Sequence, residues 1–323
     1  MQYSRSAIAL ALCGLISTCA PALAQDFSGS PIRIIVAVAA GGATDVTARL
    51  IAQRLSASLN TNVYVENKTG GVFEPAYREL TNAAPDGHTL FMISAAIVVN
   101  QPVQKDYPFD IRKMTPVTEV SEGPFILTAR KTLNFKTVGD LVAYGKANPG
   151  KLTFGAGGGS GSSLSLTAEL LRISAGITIV NVPYKGAAEA LNDLLGGRVD
   201  AMFDAMPVEV GQVKSGNVTG LAVTSAQRAA ALPEVPTLAE SGFKDYVVAN
   251  YFGLIAPPNT PPAIVKKLRD EVAKAVAAPD IIELFAKQGM APIANEPAQF
   301  GAMLATDLAR WTDVIKKAGI TPQ

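Results

Sequence analysis

Two runs of small residues are the segments best equipped for chemistry. They are Ala40-Gly41-Gly42-Ala43-Thr44-Asp45 and Gly157-Gly158-Gly159-Ser160-Gly161-Ser162-Ser163. Each follows an apolar run and precedes a helical pattern. A strand end that feeds a helix start leaves backbone N–H groups unpaired at the positive end of the helix dipole. Small residues let a ligand approach that backbone closely. An anion is the natural guest, and a carboxylate fits as phosphate does elsewhere. One such loop alone reads as an ordinary tight turn; two at equivalent places in successive units point to a site.

Other candidates stand at strand ends. Tyr184-Lys185 follows an apolar run. Tyr184 could cover a ligand, and Lys185 is either a ligand contact or a solvated loop charge. Asp204 closes Ala201-Met202-Phe203. It either accepts hydrogen bonds from a ligand's amine or hydroxyl, or caps the next segment.

Several chemistries are excluded. A dinucleotide loop built on Gly155 and Gly157 would need glycine where Ser160 stands, and the acid expected ~20 residues later is missing. No Gly-Lys-Ser/Thr follows the first loop, so it is not a P-loop. Ser160, Ser162 and Ser163 do not satisfy a Gly-x-Ser-x-Gly elbow. The single histidine, His88, lies in the turn Pro85-Asp86-Gly87-His88 and reads as structural. Without a second histidine or a cysteine beyond residue 24, a His/Cys metal site is not available, and with His88 structural a Ser-His-Asp triad is disfavoured. No metal and no cofactor is expected. The residues favour binding over catalysis.

The elements that must position these loops alternate. Strands are expected at 32–38, 63–66, 89–94 and 116–120, with helices at 46–59 and 77–84 between them. Val46, Leu50, Ile51, Leu55 and Leu59 form the apolar stripe of the first helix, with Thr44 or Asp45 as its cap. A second set has strands at 125–129, 152–155, 177–183, 199–203 and 220–224. Its helices fall at 137–146, 165–174 and 187–195, and Thr137 with Asp140 makes a capping box. A strand at 251–256 returns the chain to the first set. A helix capped by Thr260 and a last helix at 298–318 follow. Alternation of this kind implies an α/β fold of mostly parallel sheets flanked by helices. Two crossings, near 123–126 and 250–253, divide it into two lobes: 25–124 plus 252–323, and 125–251. The ligand site of such sheets lies outside the carboxyl ends of the strands.

The N-terminus carries Arg5, then an apolar run over 7–16, then Ala22-Leu23-Ala24. This is the pattern of a secretory signal peptide over 1–24, cleaved after Ala24, and the run is too short for the ~20 residues of a membrane span. Both cysteines, Cys13 and Cys19, lie within it. Without Arg5 the 28 basic residues become 27, matching the 27 acids. A neutral chain has no basic stripe to recommend a nucleic-acid partner. A periplasmic monomer is expected.

The chain resembles the Bug family, the periplasmic receptors of tripartite tricarboxylate transporters. The matching motifs include Pro31-Ile32-Arg33-Ile34-Ile35-Val36, the two small-residue loops, Val65-Glu66-Asn67 and Ala84-Pro85-Asp86-Gly87. Val182-Pro183-Tyr184-Lys185-Gly186-Ala187, Leu194-Leu195-Gly196-Gly197 and Met202-Phe203-Asp204 continue the series in order. The resemblance implies a type II periplasmic-binding-protein fold. It implies a small carboxylate ligand, delivery to integral-membrane permease subunits, and no enzymatic activity. Its site carries over to Ala40, Gly41, Gly42 and Asp45 on one side and Gly158, Ser160 and Ser162 on the other. Tyr184 and Asp204 fall near the distal end of the ligand. A departure follows Asn67, where Phe73-Glu74-Pro75 replaces small or polar residues. The same fold and pocket would also serve a sensing module docked on a membrane receptor, and a hydrolase or lyase using Asp45 and Asp204 ranks below both.

Overall fold

The computed structural model describes residues 27–322, apart from 28, 39, 42, 71–72, 106, 108, 158–161, 185 and 245. The expected signal peptide and the candidates Gly42, Gly158, Ser160 and Lys185 therefore lie outside the described residues.

Strand β1 (Ile32–Val36) buries Ile32, Ile34, Ile35 and Val36, as an unbroken apolar run requires of a strand covered on both faces. Helix α1 (Ala43–Leu59), β2 (Val63–Asn67), α2 (Glu74–Thr81), β3 (Thr89–Ser94) and α3 (Ala95–Asn100) follow. β2 and β3 flank β1, both parallel to it. The buried face of α1 is Ala48, Ile51, Ala52, Leu55 and Leu59. Val46, expected on that stripe, is exposed; Thr44, Asp45 and Thr47 turn inward in its place. The first turn is rotated by the bonds that Asp45 makes, described below.

The expectation of two strands at 116–120 and 125–129 is corrected. Thr115 to Arg130 is one strand, β4. Gly123 and Pro124 read as breakers in sequence, but tertiary pairing overrides them. β4 pairs antiparallel with β9 (Ala249–Ala256), from Thr115 opposite Ala256 to Pro124 opposite Ala249. From Phe125 onward it pairs with two other strands instead. Pro124 thus stands where the strand changes partners, a position that tolerates its missing N–H.

The second unit contains α4 (Val138–Ala147), β5 (Leu152–Gly157), α5 (Ser163–Ala175) and β6 (Ile179–Tyr184). Next come α6 (Ala187–Leu195), β7 (Ala201–Ala205), α7 (Met206–Lys214) and β8 (Val218–Val223). Thr137 and Asp140 form the expected capping box on α4. β6 and β7 are parallel to β5, while β7 and β8 are antiparallel to β4. Each half is therefore a parallel triplet joined to antiparallel strands, a mixed α/β sheet with flanking helices. β9 enters the first half between β3 and β4. Helices α8 (Pro262–Val276) and α9 (Pro279–Lys287), strand β10 (Ala291–Pro292) and helix α10 (Pro297–Ala318) complete the chain. The N-cap of α8 is Pro261; Thr260, expected there, instead donates its hydroxyl to the Pro257 carbonyl at 2.8 Å.

The core is continuous through the first sheet and reaches the second. α1 and α8 cover one face of β1, with Ile51, Leu55, Leu268 and Val272 packed on Ile32 and Ile34. On the other face Phe300, Leu304 and Leu308 of α10 join Ile35, Phe91 and Ile255. Farther along α10, Trp311, Val314 and Ile315 pack with Leu127, Phe154 and Phe203 of the second half. One helix thus contributes to the cores of both halves. Gly253 of β9 lies under its start: a Cβ there would stand 2.2 Å from Phe300 Cζ. Gly253→Ala is expected to displace that ring and cost about 1–3 kcal/mol by overpacking. Urea denaturation would show a lower midpoint at unchanged slope.

Candidate functional site

The loop before α1 is shaped by a buried carboxylate. Asp45 is 1% exposed. Its Oδ2 accepts from the Gly41 N–H at 2.9 Å and from Arg49 Nε at 3.0 Å. Its Oδ1 accepts from Asn67 Nδ2 at 2.8 Å, and the same amide donates to the Val38 carbonyl at 2.9 Å. Burial opposes the charge, but the bonds from Arg49, Gly41 and Asn67 outweigh it and hold the carboxyl below its usual range. Gly41 has φ +88, a backbone region that strains any residue with a side chain. Ala40 and Gly41 are exposed on this loop. Asp45 is occupied by the protein's own donors, so its role is to set the loop. Asn67 was not singled out in sequence, although it ends one of the quoted motifs.

The opposing wall begins at α5. Ser162 is its N-cap, and Ser162 Oγ accepts from the Ser165 N–H at 3.2 Å. A cavity of about 720 Å³ opens beside this turn. Ser162, Ser163 and Leu164 line it from α5, Phe125 from β4, and Asp204 and Ala205 from β7. Phe73, Ala96, Asn100, Val103 and Gln104 line it from the first half, Asn250 from the start of β9, and Ile320 and Thr321 from the chain after α10. Of the sequence candidates among the described residues, Ser162 and Asp204 meet here. Ala40, Gly41, Asp45 and Tyr184 are not in this lining. Tyr184 packs on Ala190, Leu191 and Leu194, and its hydroxyl donates to Asp193 Oδ2 at 2.7 Å. Asp193 also pairs with Arg198.

The departure at 73–75 divides between two surfaces. Phe73 faces the cavity with φ +73, a strained backbone for a bulky residue, and its ring meets Tyr77 edge-on. Glu74 pairs with Arg78 at 2.5 Å and borders a separate surface hollow with Arg33 and Glu79. His88 packs edge-on against Phe27.

Asp204 is the charged residue of the described lining. It is 2% exposed; Oδ1 accepts from the Ala205 N–H at 2.7 Å, and Oδ2 has no partner. Burial pushes its pKa up to about 6. Glu209, one turn into α7, is fully buried, with the Thr128 hydroxyl beside its carboxyl but no hydrogen bond of ordinary geometry to either oxygen. Burial and the nearby Asp204 push its pKa up to about 7. Sequence reasoning missed Glu209 because an acid in a nine-residue segment with exposed Val208 gives no sign of burial.

The comparisons with known proteins fit this architecture. The family model described as "Tripartite tricarboxylate transporter family receptor" matches residues 47–320. The chain belongs to this receptor family. It is 34% identical to Protein BugT of Bordetella pertussis over 303 residues, 93% of each chain. A solved R. palustris protein with adipate is 31% identical at TM-score 0.76, over 92% of this chain and all of that one. MatC of Rhodopseudomonas palustris with bound malate is 28% identical at TM-score 0.72, over 90% of this chain and all of that one. These relatives are solute-binding receptors, not enzymes, so the hydrolase or lyase reading falls away.

Two outcomes follow from the buried acids of this receptor. Asp45→Asn removes a charge-assisted acceptor from Gly41 and Arg49 and is expected to cost about 1–3 kcal/mol, read by denaturant titration. Glu209 has a folded pKa above its ordinary 4.5, so the unfolded chain gives up this proton first as pH rises. Its contribution to stability is full below about pH 4.5 and is lost as pH passes about 7. Glu209→Gln is therefore expected to gain in melting temperature relative to wild type between pH 5 and 8. A gap that stays flat over that range would contradict it.

Proposed function

We propose that this receptor captures a small carboxylic acid between its halves and delivers it to a tripartite tricarboxylate-type membrane permease. The observation that carries this reading is the cavity lined from both halves beside the start of α5. A thirteen-residue helix capped by Ser162 offers unpaired N–H groups and a positive dipole end to a carboxylate. The adipate and malate held by relatives favour the same ligand chemistry. In this reading one carboxylate is held between the loop of Ala40, Gly41 and Gly42 and the loop of Gly158, Ser160 and Ser162. Asp45 fixes the first loop from behind, and Tyr184 braces its strand end through Asp193.

The proposed lobes are 25–124 plus 252–323, and 125–251, closing about the two strands that join them. Ligand binding favours the closed arrangement in proportion to its differential affinity. Residues 1–24 have the pattern of a signal peptide, so the receptor works in the periplasm as a monomer after cleavage at Ala24. No helix among the described residues is long and apolar enough to cross a membrane, and the permease supplies the membrane path.

The test is a thermal-shift screen of the chain from residue 25 against mono-, di- and aromatic carboxylates. A true ligand at 100 times its Kd stabilises by about 2.7 kcal/mol, a rise of several degrees, with no consumption of the acid. A broad panel without any shift would refute the reading.

A further inference from the structure

The cavity has a polarity that its carboxylate-binding end does not explain. Asp204 Oδ2 is buried, lacks a partner and lines the cavity that α5 opens into. The described lining contains no lysine, arginine or histidine. Glu209, close enough to Asp204 for the two charges to oppose each other, is a second buried acid, with the Thr128 hydroxyl beside it. Two buried carboxyls with no cation among the described residues of the lining are costly, and their charges oppose each other. The rest of the described wall is apolar, as at Phe73, Val103 and Phe125, or neutral and polar, with the amides of Asn100, Gln104 and Asn250 and the hydroxyls of Ser162, Ser163 and Thr321. None of these groups would neutralise a second carboxylate on the ligand.

We propose that Asp204, backed by Glu209, selects a ligand whose far end carries a hydrogen-bond donor, above all an ammonium group, and disfavours one that ends in a second carboxylate. This rests on the carboxylate reading of the α5 end and names the opposite end. An ammonium gives Asp204 Oδ2 the donor it lacks and supplies the positive charge missing from the pair. A hydroxyl gives the donor without the charge and ranks second. A site with a buried acceptor penalises analogues that lack the donor, because the acceptor is then left unpaired. An ionised second carboxylate adds repulsion to that loss.

A matched series on one skeleton separates these effects: hexanoate, 6-hydroxyhexanoate, 6-aminohexanoate and adipate, with hexylamine as the probe lacking a carboxylate. Calorimetric titration at pH 7.5 of the chain from residue 25 is expected to rank 6-aminohexanoate first and 6-hydroxyhexanoate second. The amino acid should bind at least about tenfold more tightly than hexanoate, with adipate weaker than both donors. Asp204→Asn keeps the size and the acceptor for Ala205 but removes the charge. It should reduce the advantage of 6-aminohexanoate at least about tenfold while hexanoate changes by less than about threefold. Wild-type preference for adipate, or an unchanged ranking in Asp204→Asn, overturns the assignment and leaves the carboxylate reading standing. Hexylamine binding as tightly as 6-aminohexanoate, or silence from the whole series, overturns both.

Discussion

The antiparallel pairing of β4 with β9 is the constraint from which the site follows. β4 serves two sheets, bonding to β9 before Pro124 and to β7 and β8 after it. The parallel triplets on either side are thereby fixed relative to one seam. Phe125 and Asn250, beside that change of partners, both line the cavity. Any closure of the halves must be absorbed by bending where these two strands cross. It must also be accommodated by α10, whose Leu304 and Trp311 sit in different cores. Two paired strands and one helix therefore tie the halves together.

The two buried aspartates show how identical chemistry is given opposite uses. Asp45 meets three donors from its own protein, and its proton is held loosely. It organises the backbone of a loop and has little capacity left for a guest. Asp204 has a single backbone donor and an empty oxygen, and its proton is held more tightly than usual. Sequence reasoning offered both as strand-end acids that could cap the following segment or contact a ligand. The difference comes from Arg49 and Asn67, one a turn along the helix and the other at the end of the neighbouring strand.

Much of the fold was legible because its signals are local. The apolar run of β1, the capping box of α4 and the span of β3 depend on neighbours in sequence, and the structure has each of them. The misread features depend on distant partners. β4 looked like two strands because Gly123 and Pro124 carry breaker chemistry, while Ala249 and Asn250, which pair with them, lie some 125 residues away. Val46 fits a helical stripe by spacing, yet the bonds of Asp45 turn Thr44 and Thr47 inward. At the site, Ser162 and Asp204 were found from motif and strand-end logic. Asn100, Gln104, Asn250 and Glu209 were not, since a lone amide on a helix, turn or strand, or an acid within a helix, carries no mark of what it faces.

The placement of β9 also dictates an order of assembly. It lies between β3 and β4 in the first sheet, so the half that begins the chain cannot complete its sheet until residues near 256 have been synthesised. The strands from β5 to β8 form one uninterrupted stretch and pair only among themselves and with β4, which precedes them, although their core is completed by Trp311, Val314 and Ile315 of α10. Contacts closed over long loops are slow to form because ordering the intervening chain comes first. The sheet of the inserted half is thus free to pair early, while the N-terminal strands wait for β9 with apolar faces uncovered. During synthesis the first strands of this chain wait longest for a partner strand, which exposes them to aggregation or to capture by a chaperone.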